Sequence, residues 1–212
     1  MLDLNTLVIH QKTFEIDVER SSIRGVISDD HAHRLSWSID LFCKPEQFRG
    51  GLWEPHAYAH NVPLALPRQI VGGATLLSQV DDPSLEIGLH VSRRYPSVNN
   101  ELIILALNGE YLELNWEATV DVNWDEIYNS RLLMAVHARI PWAGIQVVVD
   151  QNAEDKKAFA EGWLQRYLDL DLFKGPNILS SITGQQVALF KPRDLKLACP
   201  PEQVLCPRIP EL

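Results

Sequence analysis

Cysteine, basic charge and long apolar runs are all scarce in this chain, and each shortage removes a class of protein. Three cysteines, Cys43, Cys199 and Cys206, are too few and odd in number for a disulfide framework. Cys199 and Cys206 are close enough to pair across the prolines around them. No Cys-x-x-Cys spacing points to zinc or redox chemistry, so the simpler expectation is reduced thiols in a cytoplasmic protein. Lysine and arginine number 19 against 28 aspartates and glutamates, for a net charge of −9. Nucleic acid and anionic membranes both favour a basic face, so neither is an expected partner. A basic protein is, because opposite potentials speed encounter and select partners. No stretch approaches the roughly 18 apolar residues of a membrane span. Met1-Leu2-Asp3-Leu4-Asn5 lacks the basic start and apolar run of a signal peptide. The Gly-x-Ser-x-Gly, phosphate-loop, Gly-x-Gly-x-x-Gly and His-Glu-x-x-His patterns are missing too, which removes the easiest enzyme readings.

What the chain does have is alternation. From Leu112 to Trp124 the apolar residues Leu112, Leu114, Trp116, Ala118, Val120, Val122 and Trp124 interleave with Glu113, Asn115, Glu117, Thr119, Asp121 and Asn123 without an error. A period of two marks a strand with one face on a core and one in water. A strand of this length, about twice the usual, belongs to a large antiparallel sheet. Shorter alternating runs predict strands over 13–20 (starting as early as Leu7), 24–27, 35–41 and 85–91. Further strands are expected over 131–140, 145–150 and 186–190, the first two joined across Pro141-Trp142-Ala143-Gly144. Asn108-Gly109 between apolar runs is a hairpin signal. A two-residue loop there sets Leu105 opposite Leu112 and Ile103 opposite Leu114. Leu102, Ile104 and Ala106 then lie on the other face and need cover. Residues 44–80 are punctuated by proline and glycine and predict an irregular excursion, with a short strand near Gln69 to Val71.

The period changes over about 153–168, where Phe159, Trp163 and Tyr167 recur every four residues beside Ala160, Leu164 and Leu168. This predicts one amphipathic helix, capped by Asn152 and placed to cover the hairpin. Five prolines mark 192–212 as a tail. The expected fold is mainly β (α+β): a large antiparallel sheet, either a sandwich or a strongly curved half-barrel, with one C-terminal helix packed on it. Residues 1–191 form a single domain, and the tail packs on it.

Two histidine clusters are candidates for metal. Asp29-Asp30-His31-Ala32-His33 projects His31 and His33 to one side of an extended segment. His56 and His60, spaced i, i+4, share a face if that piece is helical. Together these four imidazoles suit zinc or iron, with a position left open for water. His10, His90 and His137 fall on predicted strands, where a hydrogen-bonded structural role is the default. The carboxylates offer a different chemistry. Glu113, Glu117 and Asp121 share one face of the long strand, and Glu15, Asp17 and Glu19 share one face of the first. Were those strands neighbours, they would make a negative patch that a basic partner covers. Trp53 and Tyr58, in the excursion, are candidate anchors for the same partner.

Two readings follow, with a structural subunit of a larger assembly as a third. The first is a non-enzymatic acidic binding protein with the general character of bacterial toxin-neutralising (immunity) proteins, which needs no cofactor. The second is a metal-dependent hydrolase or oxygenase built on His31, His33, His56 and His60.

Overall fold

The computed structural model describes residues 3–28, 35–48, 50–63, 74–78, 85–108, 110–122, 131–180 and 185–193. In chain order the strands are β1 (Thr6–Ile9), β2 (Lys12–Glu15), β3 (Ser22–Ile27), β4 (Leu35–Phe42), β5 (Glu46–Phe48), β6 (Gly51–Trp53), β7 (His56–Pro63), β8 (Ala74–Ser78), β9 (Glu86–His90), β10 (Arg94–Asn108), β11 (Tyr111–Val120) and β12 (Leu132–Val148). The helix α1 (Lys156–Leu164) and a 3-10 turn at Leu170–Leu172 precede β13 (Phe173–Ser180) and β14 (Gln186–Pro192). The described residues are mainly β with one helix towards the C-terminal end, as the alternation and the change of period over 153–168 lead one to expect.

Among the described residues twelve strands join in one sheet, and β5 and β6 form a separate hairpin. The path β11–β10–β9–β7–β4–β3–β12 returns to its start, because β12 also pairs with β11. The sheet therefore closes on itself. The pairings among the described residues are antiparallel, except that β12 runs parallel to β3 over Trp142–Val147. β12 does the closing. Its first half lies between β11 and β1, and its second half pairs with β3 and β14.

The sequence predicts two strands joined by a loop at Pro141–Gly144. The structure instead carries one strand of 17 residues through that point. A register shift between Trp142 and Gly144 re-aims it, and Gly144 adopts φ 93°. A Cβ on Gly144 would lie 2.1 Å from the Phe190 carbonyl oxygen, so only glycine lets β14 approach there. Trp142, expected in a loop, is an inward strand residue packed on Trp37 and Phe173.

Alternation translates directly into burial along β11. Leu112, Leu114, Trp116, Ala118 and Val120 are inside, as is Val122 beyond the strand's end, while Glu117 and Asp121 are exposed. Trp116 satisfies its buried N–H on Asn100 Oδ1 at 3.1 Å, and Asn100 accepts again from Ser97 Oγ at 2.7 Å. Trp124 lies outside the described residues.

Four expectations about local structure need correction. The hairpin register is shifted. Asn108 pairs with Tyr111, and a bulge between Ile104 and Ala106 puts Leu107 opposite Leu112, Ile104 opposite Leu114 and Leu102 opposite Trp116. Shifting a strand by one residue exchanges its faces. Leu102 and Ile104 are accordingly the fully buried pair, and Ile103 and Leu105 are half-buried outside. The expected first strand is two, β1 and β2, reversed at His10, whose φ is 56°. The expected irregular excursion holds β5, β6, β7 and β8, and β7 sits between β4 and β9 in the sheet. Its predicted strand at Gln69–Val71 lies outside the described residues. The helix is shorter than expected. Asp155, not Asn152, caps it by accepting from the Lys157 and Ala158 N–H groups, each at 3.0 Å. Its buried side chains, Ala160 and Leu164, face β12, β13 and β14 rather than the β10–β11 hairpin.

β13 has no counterpart in the sequence reading, because Gly175-Pro176 looks like a stop. Among the described residues its ladder pairs only with β14, and it is interrupted between Lys174 and Asn177, where an edge strand tolerates proline. Among the described residues no helix is long and apolar enough to cross a membrane.

Two substitutions check this account. Gly144→Ala is expected to destabilise the protein by more than about 1 kcal/mol, read as a lower urea midpoint. An unchanged midpoint would show that the bend in β12 accepts a side chain. Leu102→Ala is expected to cost about 2–5 kcal/mol, and Leu105→Ala clearly less. The opposite ranking would restore the unshifted hairpin register.

Candidate functional site

The densest group of polar and aromatic side chains lies on the outer face of β4, β7 and β9. The alternation of β4 turns Trp37, Ile39 and Leu41 inward and Asp40 and Phe42 outward. On β7, Ala57 and Ala59 face the core, so His56, Tyr58 and His60 share the outer face. Asp40 pairs with Tyr58 across the ladder, and the two histidines flank that tyrosine on the same strand. Each imidazole reaches diagonally to the carboxylate. His56 Nε2 and His60 Nε2 both lie 2.9 Å from Asp40 Oδ1.

Rings fix these positions. Phe42 stacks on His56 with centroids 4.0 Å apart and planes 13° from parallel. The Tyr58 ring lies 5.5 Å from each imidazole. The Arg20 guanidinium also lies over the Phe42 ring at 4.9 Å and is ion-paired with Glu54. Beyond His60, Glu86 Oε2 lies 3.7 Å from Nδ1, and Arg94 approaches the same oxygen at 3.9 Å.

Burial works to raise the Asp40 pKa, but the two imidazole hydrogen bonds and their charges outweigh it and hold the carboxyl far below its usual range. The hydrogen bond to Asp40, opposed by burial and helped by the Asp40 and Glu86 charges, raises His60. Chemically the group holds a carboxylate ionised, fixes two imidazoles as donors to it, and presents half-buried aromatic edges to solvent.

Of the metal candidates, His56 and His60 are on a strand rather than a helix, and spacing i, i+4 still gives them one face because four is a multiple of two. Their ring nitrogens are turned onto Asp40 as hydrogen-bond donors, with the carboxylate oxygen at the point where both converge. His31 and His33 lie outside the described residues. Among the described residues no three His, Cys, Asp or Glu side chains are placed to hold an ion.

The acidic rows are separated. β12 and β1 lie between β11 and β2, so Glu15 does not neighbour Glu113. Glu15 pairs with Lys44, and Asp17 and Glu19 fall beyond the end of β2. Glu113 accepts from His137 Nε2 at 3.1 Å and stands opposite Arg139. Glu117 instead stands directly opposite Glu101 of β10, both exposed, and neither is ion-paired to another described residue. Trp53 packs edge-on against Phe48, with ring centroids 5.4 Å apart. Tyr58 is buried in the Asp40 cluster, separated from β11 by β9 and β10.

Asp40, Glu86, Arg94 and Glu101 are site residues that no local sequence pattern marks. The i, i+2, i+4 spacing of His56, Tyr58 and His60 was the available signal for an outer strand face. Small Ala57 and Ala59 between them hid the alternation. Nothing local marks Asp40 as their partner. No protein-family model matches the chain, and no curated protein or solved structure does either.

Beneath the cluster, Cys43 is fully buried, and its thiol is pushed up to about 12 by burial, with the Glu54 charge acting the same way. A thiol so held is a poor nucleophile. Alkylation followed by peptide mapping should leave Cys43 unmodified in the native protein and modify it fully in denaturant. Rapid native labelling would contradict the packing of β4.

Proposed function

We propose that the protein is a non-enzymatic acidic binding protein that engages a basic protein partner, in the manner of a bacterial toxin-neutralising (immunity-type) protein. The contact surface in this reading is the outer face of β10 and β11. The observation that carries it is the Glu101–Glu117 pair. Two carboxylates directly opposite on adjacent strands repel each other. A cationic side chain from a partner would turn that repulsion into attraction on both sides. Asp121 extends the exposed negative charge past the end of β11. Glu113, compensated by His137 and Arg139, borders the patch rather than driving it. The net charge of −9 acts in the same direction by steering a basic partner from a distance. A closed sheet also suits recognition, since the backbone that carries the carboxylates is already in place before contact.

The test is comparative capture. Wild-type protein and the Glu101→Lys/Glu117→Lys variant serve as paired baits, and basic proteins retained by wild type alone are carried into kinetics. Association with such a partner is expected to slow at least about tenfold in the variant and to lose most of its salt dependence. Equal capture and equal on-rates would remove this face as the contact surface.

A further inference from the structure

The outer face of β7 holds an arrangement that the binding proposal does not use. His60 has a carboxylate near each ring nitrogen: Asp40 Oδ1 at 2.9 Å from Nε2, and Glu86 Oε2 at 3.7 Å from Nδ1. A neutral imidazole carries one N–H and can donate to one of them. An imidazolium carries two and can serve both. His56 is different, because among the described residues Asp40, at 2.9 Å from Nε2, is its one carboxylate contact, and a single ring N–H serves it. The three acceptor and donor groups come from β4, β7 and β9, so a charged His60 ties three adjacent strands together on their solvent side.

We infer that Asp40, His60 and Glu86 form a proton-operated clamp across β4, β7 and β9, closed while His60 is an imidazolium and released when it loses its proton. The surroundings set the clamp's field. On β9, His90 stands opposite His56, and Glu86 lies next to Arg94 of β10. Arg94 also approaches the Tyr58 ring at 5.8 Å. On the opposite side Arg20 covers Phe42, paired with Glu54 and close to Asp17. Arg24 of β3 is exposed opposite Ser38, two residues from Asp40. Positive and negative groups are interleaved around the cluster, so the charge on His60 decides whether Glu86, at an ion-pair distance of 3.7 Å, is drawn to the ring that already donates to Asp40.

The direction of the pH effect follows from the sign of the shift. His60 is raised in the folded protein by its bond to Asp40. Its stabilisation is complete below the ordinary imidazole value of about 6.5 and is lost as pH rises through the higher folded value. Asp40 is held down, so its stabilisation is complete above the ordinary carboxyl value of about 3.9 and is lost as pH falls below it. The clamp is tightest between those two limits.

The experiment is a histidine ring-proton NMR titration of the full chain over about pH 5–9, the range in which imidazoles change charge. His60→Gln identifies the resonance by its disappearance. The His60 midpoint is expected above that of the urea-unfolded protein, with a downward shift in Asp40→Asn and a smaller one in Glu86→Gln. The urea midpoint of the wild type should fall as pH passes through the His60 midpoint, and that fall should be lost in His60→Gln. Glu86 is exposed at the start of β9, so Glu86→Gln decides the matter even where Asp40→Asn does not fold. A wild-type His60 midpoint at or below the unfolded value, or one unmoved by Glu86→Gln, would overturn the clamp.

Discussion

The bend in β12 is the constraint on which the rest of the architecture depends. One strand pairs with β1, β11, β3 and β14, and it can do so because its direction changes at Trp142–Gly144. Before the bend it belongs to the antiparallel set containing the long acidic strand. After it, the same strand runs parallel to β3 and brings in β4, β7 and β9. Closure joins the two ends of the path from β11 to β12 and buries a continuous core that includes Trp37, Trp116, Trp142, Phe14 and Phe190. A glycine in the left-handed region at 144 is the local condition for this, since a side chain there would meet the β14 backbone.

Closure also distributes the polar surface. The Glu101–Glu117 pair belongs to β10 and β11, and the Asp40 cluster belongs to β4, β7 and β9. These two surfaces differ in kind. In the first, like charges oppose each other with no described cation between them, a state that contact with a basic partner improves. In the second, donors and acceptors are matched and partly shielded by Phe42 and Tyr58, a state set internally and responsive to protons. The proposed binding face and the proposed clamp can therefore coexist on one sheet without sharing a side chain.

Much of the fold was legible because alternation is a local property. β11 shows it best: each inward residue from Leu112 to Val120 was identifiable from its own position in the run. β10 shows the limit. From Leu102 to Leu105 its side chains are apolar on both faces, so the pattern does not choose a register there, and the bulge between Ile104 and Ala106 chooses it instead. The β7 strand is hard to read from sequence because its first inward residues are the small Ala57 and Ala59 and prolines bound it. The helix was found from its period, but its cap and docking site were not. Asp155 competes with Asn152 on equal terms in sequence, and only the placement of β13 and β14 provides the surface that Ala160 and Leu164 cover.

The site was legible only in its parts. His56, His60, Glu113 and Glu117 all stood out by type and spacing, and all four are outward on strands. Sequence by itself determined the β class, the single helix, the inward row of β11 and the negative charge, because each follows from residue type or short-range periodicity. The tertiary structure alone decided which strands are neighbours. It placed Asp40 between two histidines and Glu101 opposite Glu117, and it set β12 and β1 between carboxylate rows that sequence could not keep apart. The physical reason is that a strand's own residues specify its faces, whereas its partners are fixed by closure of the whole sheet.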